Sequence, residues 1–558
     1  MIKMTLKFEP SPAFTLGALL LLTAIACSKP PPSDPGPALP QDTAQQLDLE
    51  QARSGAEDQG KDAALMLRRS LLTTVERHVT ARVPHPPLKM FPGLKAPRLR
   101  TSVDRVKKDG PKPVLLLMLD TTRADRLSAY GHDRPTSPNL KALADDGILF
   151  SRFYSNGTWT RPSVASIMTS MYRKDHLIEL GGVLTDRHDT VAEVFKENGY
   201  ATAAFVGNQT VRGEYNFNKG FDHYEDIHDE IEHNPEADEM VERTINWLDN
   251  NDNDNWFIWL FLVDPHDPYT PRKEFDQWET DSKYQRVGVP QFEYPGNPPK
   301  ELVDRMLALY DAEILQMDTA IGDLFDYFKE NDIWDDLTVV VVTDHGEAFG
   351  EHRCFRHPYH PWEANIHVPF IIRSPEFASG RGHVEDRLFH SVDVAPTMID
   401  LAGLKAPERW KPTGLSAAQV LTGSMLEGWD RAVYTEQFGY GMRRWVIRQG
   451  DYKYMRFNPT NLELLEKAWE TFWEQLATAN HDYLKEYLFD LSKDPWEKKN
   501  VKRKEKEVFK LMRKELQAFT SGKRDAPGAK TGPVAEEFDP DDLDDQALED
   551  LRSLGYIE

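Results

Sequence analysis

Two segments of the sequence carry side chains that could hold a divalent metal ion. Asp120 directly follows the apolar run VLLLML, and Asp344 and His345 directly follow a second apolar run, LTVVVVT. Carboxylate oxygens and an imidazole nitrogen are ligands that suit Zn²⁺, Mn²⁺, Mg²⁺ or Ca²⁺. An aspartate after a strand also often caps a neighbouring helix, so each residue alone indicates little. Together the three residues predict a metal site.

A hydroxyl group that could act as a nucleophile lies in the segment NGTWTRPSVASIMTS. Pro162 fits the first turn of a helix, where its missing N–H costs nothing, so Thr160 is expected just before a helix N-terminus. Unpaired backbone N–H groups and the helix dipole at such a point stabilise an oxyanion such as sulfate or phosphate. A hydroxyl there can be deprotonated by a bound metal and attack in line. On the residues alone, a plain helix cap is the stronger reading of Thr160.

Four continuous apolar runs predict strands of a parallel sheet that is covered on both faces. Helical patterns at about residues 190–198 and 306–330 lie between the runs. Strands that alternate with helices predict an α/β fold with a doubly wound, mostly parallel sheet. The four runs are VLLLML from Val114, ATAAFV from Ala201, WFIWLFLV from Trp256 and LTVVVVT from Leu337.

Polar residues follow all four runs, which places them at one edge of the predicted sheet. Asp120 follows the first run, Asn208 the second, Asp264 and His266 the third, and Asp344 the fourth. Doubly wound sheets bind ligands at the carboxyl ends of their strands. Four such coincidences at the same edge favour a binding site over a set of independent helix caps.

The sequence pattern changes after the last long run. Shorter strand-like pieces, among them AVYTEQ and EYLFDLS, surround a polar helical insertion at about residues 462–485 and predict a smaller C-terminal α+β domain. The divisions we expect are a signal peptide at 1–26, a proline-rich tether and leader helix at 27–110, a catalytic domain at 111–420, the smaller domain at 421–520 and an acidic tail at 521–558.

The first residues predict export and a lipid anchor. Lys3 and Lys7 precede an apolar run at 13–26 that is too short to span a bilayer comfortably. The run leads directly into Cys27 in an arrangement that resembles a bacterial lipoprotein box, so we expect lipidation of Cys27. An ordinary cleaved signal peptide is the alternative. The expected location is the cell envelope, on the periplasmic or outer-membrane face.

Composition excludes several classes of partner. The formal net charge of -24 argues against a nucleic-acid surface or an anionic-membrane surface, because both select basic patches. Membrane contact is therefore expected only through the N-terminal lipid. Cys354 is the one other cysteine, so lipidation of Cys27 leaves no intramolecular disulfide.

Seven longer passages occur in the same order as in one known family, between Val114 and about Val501. They are LLLMLDTTRADRLSAYG, SPNLKALADDGILFSRFYSNGTWTRPSVASIMTS, FLVDPHDPYTP, TDHGEAFGEH, VPFIIRSP, DVAPTMIDLAG and YLFDLSKDPWEKKN. These passages resemble the sulfatase family of the alkaline-phosphatase superfamily. The resemblance implies an α/β sandwich with a smaller C-terminal sheet domain, in agreement with the division above.

The resemblance makes Asp120, Asp344 and His345 ligands of one divalent metal ion (Ca, Mn, Mg or Zn). It places Thr160 where sulfatases carry the cysteine that becomes formylglycine. Because threonine cannot form that aldehyde, no formylglycine is expected, and the usual sulfatase mechanism is excluded. Threonine with an Asp-His metal pair resembles the phosphodiesterases and the phosphoethanolamine or phosphoglycerol transferases of the superfamily. This variant implies a covalent phospho-threonine.

Further site residues follow from the resemblance, some of them as departures from the family pattern. His266 falls on the histidine that contacts the transferred group, and His357 is implied as a second, substrate-binding histidine. Asn208, which we also assign to substrate binding, replaces the lysine expected near sulfate. Thr121 replaces a second ligand carboxylate, and Val164 replaces the arginine after the nucleophile.

A second metal ion would need an additional carboxylate and two histidines. No clear Asp-to-His helical spacing supports such a site, so a single metal ion is favoured. The nominal candidates for a second site are Asp264, His266, His352, His357 and His360.

The residues and the resemblance together predict a metal-dependent hydrolase of sulfate or phosphate esters, with Thr160 as nucleophile and His266 assisting. The expected substrate is a small-molecule, glycan or lipid ester. One alternative is a non-catalytic surface lipoprotein that binds sulfated or phosphorylated glycans, which the missing lysine and arginine favour. Another is a phosphoethanolamine or phosphoglycerol transferase, but such transferases usually carry several membrane helices, and no sufficiently long apolar run follows residue 26.

Overall fold

The computed structural model describes residues 105–106, 110, 112–178, 182–227, 235–278, 298–357, 360–422, 431–439, 442–459 and 486–521. Several expectations lie outside these residues: the signal peptide with Cys27, the leader helix, the helical insertion at 462–485 and the acidic tail. Within the described ranges, no helix is both long enough and apolar enough to cross a membrane.

The strands of the described residues form two main sheets and two short ribbons. They are β1 (Val114–Leu119), β2 (Ile148–Phe150), β3 (Phe153–Tyr154), β4 (Ala201–Val206), β5 (His223–Asp226), β6 (Trp256–Leu262), β7 (Thr338–Thr343), β8 (Ala348–Phe349), β9 (Phe355–Arg356), β10 (Phe370–Arg373), β11 (His383–Glu385), β12 (Phe389–His390), β13 (Val433–Gly439), β14 (Met442–Gln449), β15 (Tyr452–Pro459) and β16 (Glu486–Asp490).

An eight-stranded sheet forms the centre of the larger region. Its strand order is β11-β2-β10-β7-β1-β6-β4-β5. The five strands β7, β1, β6, β4 and β5 run parallel, whereas β10 is antiparallel to both of its neighbours. The four predicted apolar runs are the adjacent strands β7, β1, β6 and β4, and their predicted ends agree with the observed ends to within one residue. The predicted α/β fold with a mostly parallel sheet is confirmed.

Helices cover both faces of this sheet. The helices of the described residues, including those that pack elsewhere, are α1 (Pro138–Asp146), α2 (Thr160–Thr169), α3 (Arg173–His176), α4 (Val191–Glu197), α5 (Ala237–Asp249), α6 (Lys300–Glu330), α7 (Glu363–Ile366), α8 (Val394–Leu401), α9 (Ala417–Leu421) and α10 (Lys506–Thr520).

The helices α4 and α6 match the two predicted helical patterns. The helix α4 begins after Thr190, whose hydroxyl accepts the backbone N–H of Glu193 while the Glu193 carboxylate accepts the N–H of Thr190. The helix α6 begins at Lys300, six residues before the predicted start at residue 306. The first turns of α6 mix exposed and buried positions. No continuous apolar pattern therefore marks the start of the helix in the sequence.

Alternate residues of β1 fill separate cores on the two faces of the sheet. One core contains Val114, Leu116 and Met118 together with residues of α2, α4 and α8. The other core contains Leu115, Leu117 and Leu119 together with residues of α1, α5 and α6. Because β1 has a side chain to bury on both faces, it reads as a continuous apolar run.

A smaller antiparallel sheet, in the order β13-β14-β15-β16, follows in the C-terminal region, and α10 packs against it. This sheet contacts the segment just before α2. The Thr435 hydroxyl donates to the Ser155 carbonyl at 2.6 Å, and the Glu436 N–H donates to the Asn156 carbonyl at 2.9 Å. The C-terminal sheet therefore supports the backbone that leads into the predicted nucleophile.

Candidate active site

The two predicted aspartate ligands lie side by side because their strands are neighbours. The strands β1 and β7 pair in parallel with Leu119 opposite Thr343, so the next residues, Asp120 and Asp344, leave the sheet at the same level. Both carboxylates are fully buried. His345 follows Asp344 and is also fully buried. The structure thus brings together the three side chains that the sequence proposed as metal ligands.

The ligand atoms of these three residues converge on one point. Nε2 of His345 lies 3.3 Å from Oδ2 of Asp344 and 3.8 Å from Oδ1 of Asp120. Both of these oxygens are buried and have no hydrogen-bond partner. Among the described residues this is the only group of three such ligand atoms, all within 4.8 Å of one another. Buried carboxylate oxygens without donors fit a hard divalent cation.

Hydrogen bonds fix the orientation of the ligand side chains. Nδ1 of His345 lies 3.1 Å from the Gly346 carbonyl, so Nδ1 carries the proton and Nε2 presents its lone pair to the site. Oδ1 of Asp344 accepts the backbone N–H of His345 at 2.8 Å, which leaves Oδ2 facing the convergence point. This arrangement fits metal ligation, because the outer contacts set the ligand geometry.

Burial shifts the pKa of each of these groups in the direction that favours its neutral form. It raises the pKa of Asp344 to about 7, and it raises the pKa of Asp120 well above its usual value, with further help from the neighbouring Asp344 charge. Burial lowers the pKa of His345. A cation beside the two carboxylates would favour their charged forms, and the two carboxylate oxygens with the imidazole nitrogen fit a divalent cation.

Thr160 points its hydroxyl at the same group. The helix α2 begins at Thr160 itself, earlier than predicted, since Thr160 was expected just before the helix, and Trp159 is the cap residue. Oγ1 of Thr160 lies 3.2 Å from Nε2 of His345. The side-chain amide of Asn208 lies 3.5 Å from the same Oγ1. The Thr160 hydroxyl thus lies at a helix N-terminus and beside the candidate metal ligands.

Asn208 braces the first aspartate as well as facing Thr160. Its Nδ2 donates to Oδ2 of Asp120 at 2.5 Å, and its Oδ1 accepts the Thr210 N–H at 2.8 Å. The residue that we assigned to substrate binding from the sequence therefore contacts the candidate metal ligand. The Asn208 side chain directs Asp120 so that its other oxygen, Oδ1, faces His345.

The two further histidines extend from His345 in a row. The His357 ring lies 4.2 Å from the His345 ring, and the His266 ring lies 5.4 Å from the His357 ring, centroid to centroid. Burial lowers the pKa of His266 to about 4 and that of His357 well below its usual value. Both rings are therefore neutral at neutral pH and can accept a proton or a hydrogen bond.

The candidates for a second metal site are not gathered into one group. Oδ1 of Asp264 accepts the Ala237 N–H at 3.2 Å, so this aspartate caps α5. The His352 ring stacks on Trp362 with 3.8 Å between centroids. The His360 ring also lies beside Trp362, at 6.3 Å.

Three residues of the site had no assigned role in the sequence. Thr121 occupies a left-handed backbone conformation next to Asp120, with φ of 48°. Glu347 is fully buried and its carboxylate lies 3.3 Å from Nδ1 of His357. The Arg161 guanidinium stacks 3.7 Å from the Tyr215 ring centre, directly after the candidate nucleophile. Thr121 had been noted only as the replacement of a ligand carboxylate, and Glu347 could have been noted as the acidic residue in TDHGE.

Comparison with known proteins identifies the chain as a hydrolase of sulfuric or phosphoric esters. The chain belongs to the sulfatase family, whose model, described as Sulfatase, matches residues 112–404. A second model, described as N-sulphoglucosamine sulphohydrolase, C-terminal, matches residues 350–472. The first match covers the whole eight-stranded sheet and every candidate site residue discussed above except Cys27.

Individual relatives are distant but similar over most of their length. An arylsulfatase of Clostridium perfringens (strain 13 / Type A) is 24% identical over 476 residues, which span 72% of this chain and 93% of the relative. An N-acetylglucosamine-6-O-sulfatase of Bacteroides thetaiotaomicron is 21% identical over 523 residues, spanning 75% of this chain and 89% of the relative. The solved phosphonate monoester hydrolase of Agrobacterium radiobacter superposes with a TM-score of 0.60 at 22% identity, covering 76% of this chain and 100% of that one.

Proposed function

We propose that this protein cleaves sulfate or phosphate esters by attack of the Thr160 hydroxyl, with a divalent cation held by Asp120, Asp344 and His345. One observation carries the proposal: Oγ1 of Thr160 and Nε2 of His345 lie 3.2 Å apart, beside two buried carboxylate oxygens that have no hydrogen-bond partner. If Thr160 only capped the helix, its hydroxyl would bind backbone N–H groups. The two carboxylate oxygens without a partner would then be unexplained.

The chemistry divides between the cation and the side chains. A bound divalent cation would lower the pKa of the Thr160 hydroxyl and offset negative charge on the ester. Oγ1 of Thr160, after losing its proton to solvent, then bonds to sulfur or phosphorus while the bond to the leaving oxygen breaks. The leaving oxygen departs as an anion, and the transferred group remains esterified to Thr160. The backbone N–H groups at the start of α2 favour the extra negative charge of this transition state.

His266 is suited to the second step, in which water releases the group from Thr160. Nδ1 of His266 lies 2.8 Å from the Asp267 carbonyl, so Nδ1 carries the proton and Nε2 is the basic atom. The pKa of His266 is lowered to about 4 by burial, so the ring is neutral and Nε2 is free of a proton. Nε2 can therefore accept a hydrogen bond, and in the transition state a proton, from the attacking water. The water oxygen bonds to sulfur or phosphorus while the bond to Oγ1 of Thr160 breaks, and the proton taken from water returns to Oγ1 to restore the hydroxyl.

The proposal includes two substrate classes, sulfate esters and phosphate esters. The names of the two distant relatives above support a sulfate ester of a sugar or an aryl alcohol as the first substrate class to test. Threonine at position 160 supports a phosphate ester instead, because the family's sulfate chemistry uses the formylglycine that threonine cannot form. Val164 and Asn208, which replace an arginine and a lysine of the family pattern, support the same alternative.

A three-substrate assay tests the proposal. Wild-type protein loaded with Mn²⁺, Zn²⁺ or Ca²⁺ is assayed with nitrophenyl sulfate, nitrophenyl phosphate and bis-nitrophenyl phosphate, whose leaving groups need no proton donor. Turnover of at least one substrate should fall at least about a thousandfold in Thr160→Ala. The matched control is Thr169→Ala, which removes a buried hydroxyl that bonds to the Ala165 carbonyl at the far end of α2.

Mass spectrometry of quenched reactions supplies the second readout. The peptide that contains Thr160 should gain one sulfuryl or phosphoryl group in the wild type and none in Thr160→Ala. Full metal-dependent turnover by Thr160→Ala would reject the nucleophile, whatever the substrate.

We further propose that the protein is exported and tethered to the cell envelope through a lipid on Cys27. The apolar segment at 13–26, which leads into this cysteine, supports the proposal. Cys27→Ser should move the protein from the detergent-soluble membrane fraction to the aqueous fraction. An unchanged distribution would show that the anchor lies elsewhere.

A further inference from the structure

Thr121 is a buried residue with a backbone conformation that threonine rarely adopts. It follows Asp120 at the end of β1, has a φ of 48° and has no exposed surface. In the left-handed region the Cβ of an L-residue crowds its own backbone, and a β-branched side chain makes the crowding worse. Such a conformation persists only when the surrounding contacts hold it in place. The contacts of Thr121 therefore indicate what the conformation achieves.

The backbone N–H of Thr121 contacts the second aspartate. It donates to Oδ1 of Asp344 at 3.3 Å, the same oxygen that accepts the His345 N–H at 2.8 Å. With Oδ1 engaged by two donors, Oδ2 is the oxygen that faces Nε2 of His345. The turn at Thr121 thus links the end of β1 to the carboxylate that follows β7.

The side chain of Thr121 contacts a third strand end. Its hydroxyl donates to the Pro265 carbonyl at 2.9 Å, and Pro265 directly precedes His266. The backbone carbonyl of Thr121 accepts a hydrogen bond from the Tyr310 hydroxyl at 2.7 Å, which holds the turn against α6. Thr121, which lies in the segment after β1, therefore contacts the segments that follow β6 and β7.

We propose that Thr121 is a positioning residue that sets the candidate metal ligand Asp344 through its backbone and the candidate base His266 through its hydroxyl. This inference rests on the proposed function, because the alignment matters only if both residues act on one substrate. It also accounts for a threonine where the family pattern has a ligand carboxylate. The side-chain hydroxyl binds the Pro265 carbonyl of the neighbouring segment instead.

Two conservative variants separate this role from simple packing. Thr121→Ser keeps the hydroxyl and removes the methyl group, whereas Thr121→Val keeps the shape and removes the hydroxyl. The positioning role requires Thr121→Ser to stay within about threefold of wild type in kcat, and Thr121→Val to fall about tenfold or more. A packing role gives the reverse order. The matched control is Thr244→Val, which removes a buried hydroxyl that bonds to the Met240 carbonyl at 2.8 Å on α5.

Metal affinity, measured by calorimetry with Mn²⁺, gives a readout that does not depend on turnover. Both variants keep the N–H that contacts Asp344, so both should bind Mn²⁺ within about threefold of wild type. Hydrogen exchange of the peptide that contains His266 gives another readout. It should be faster in Thr121→Val than in wild type, Thr121→Ser or Thr244→Val, because only Thr121→Val releases the Pro265 carbonyl.

The outcomes are distinguishable. Equal turnover by Thr121→Val and wild type, or unchanged exchange at His266 in Thr121→Val, overturns the positioning role. If wild type turns over none of the three nitrophenyl substrates while exchange at His266 still rises in Thr121→Val alone, the positioning contact stands and the proposed reaction fails.

The strain has its own test in the metal-free protein. Glycine adopts a positive φ without cost, whereas alanine keeps most of the crowding. Metal-free Thr121→Gly should therefore melt at a higher temperature than metal-free Thr121→Ala. A lower melting temperature for Thr121→Gly would show that threonine is not strained in the left-handed conformation. The proposal would then lose its first premise.

Discussion

The hydroxyl oxygen of Thr160 lies 3.2 Å from Nε2 of His345, although the two residues are 185 positions apart in the sequence. Nδ1 of His345 bonds to the Gly346 carbonyl, so the atom that faces the hydroxyl is a lone-pair acceptor. The lone pair on Nε2 can either bind a cation or accept a hydrogen bond from the Thr160 hydroxyl. The contact therefore joins the candidate nucleophile to the candidate metal site without any movement of the backbone.

Replacing Thr160 by serine or by valine should lower turnover to very different extents. Thr160→Ser keeps Oγ but frees its rotation, because serine lacks the methyl group that restricts χ1. We expect kcat to fall by about tenfold or less. Thr160→Val keeps the shape and loses the nucleophile, so kcat should fall at least about a thousandfold. Steady-state assays at saturating Mn²⁺ measure both, and a loss in Thr160→Val no larger than that in Thr160→Ser would contradict the nucleophile role.

Replacing Asp120 by asparagine should stabilise the metal-free protein and remove its response to metal. Burial and the Asp344 charge disfavour the Asp120 anion, as its raised pKa shows. Neutral asparagine removes this cost and can still accept the Asn208 amide. In urea denaturation with a chelator, Asp120→Asn should gain about 1–2 kcal/mol over wild type. Adding Mn²⁺ should stabilise wild type and leave Asp120→Asn unchanged.

A second buried aspartate provides the control for that prediction. The Asp318 carboxylate accepts the backbone N–H groups of Asn139 and Leu140 at the start of α1, so both of its oxygens are engaged. Asp318→Asn should lose stability by about 1 kcal/mol whether or not metal is present. Stabilisation of metal-free protein by both substitutions would show a general effect of removing buried charge, and would contradict a specific site at Asp120.

The sequence predicted the central sheet well because buried parallel strands are apolar throughout. The runs at Val114 and Ala201 match β1 and β4 at both ends. It could not predict that β10 inserts antiparallel beside β7, because strand pairing depends on contacts between distant residues. The short strand β5, with four half-buried residues, had no apolar run to mark it.

The candidate site was predictable where each residue followed a strand, and less so where its role depends on direction. Asp120 and Asp264 both follow apolar strands, yet only Asp120 turns its carboxylate to the convergence point, whereas Asp264 caps α5. Local sequence does not encode that difference. The left-handed turn at Thr121 was hidden for a related reason, since threonine gives no sign of a positive φ.

Replacing Lys453 by methionine should destabilise the contact between the C-terminal sheet and α7. Nζ of Lys453 lies 3.1 Å from the Glu363 carboxylate and 2.7 Å from the Glu497 carboxylate, and all three side chains are buried. Methionine leaves two buried carboxylates without this cation, which should cost about 3–5 kcal/mol. Urea denaturation measures the loss. The double variant Lys453→Met with Glu497→Gln should recover part of it, and a loss below about 1 kcal/mol would contradict the prediction.

The buried ring of His390 should make folding stability depend on pH. Burial lowers the pKa of His390 to about 3, and the nearby Asp393 carboxylate and Arg431 guanidinium act in opposite directions. The ring lies 3.0 Å from the Asn156 amide and 3.3 Å from the Tyr172 hydroxyl. Because the unfolded chain binds a proton near pH 6.5 and the folded chain does not, stability falls as pH decreases from about 6.5 towards about 3.

Urea denaturation of metal-free protein at pH 7 and pH 5 measures this dependence. His390 should account for about 2 kcal/mol of the stability lost between the two pH values, and His390→Gln should lose correspondingly less. His223→Gln is the control, because His223 is 42% exposed and lies beside Glu225 at the edge of the sheet. It should lose as much stability as wild type does. If His390→Gln loses as much as well, the folded protein tolerates a charged ring there, which would require Asp393 to stabilise the cation more than burial disfavours it.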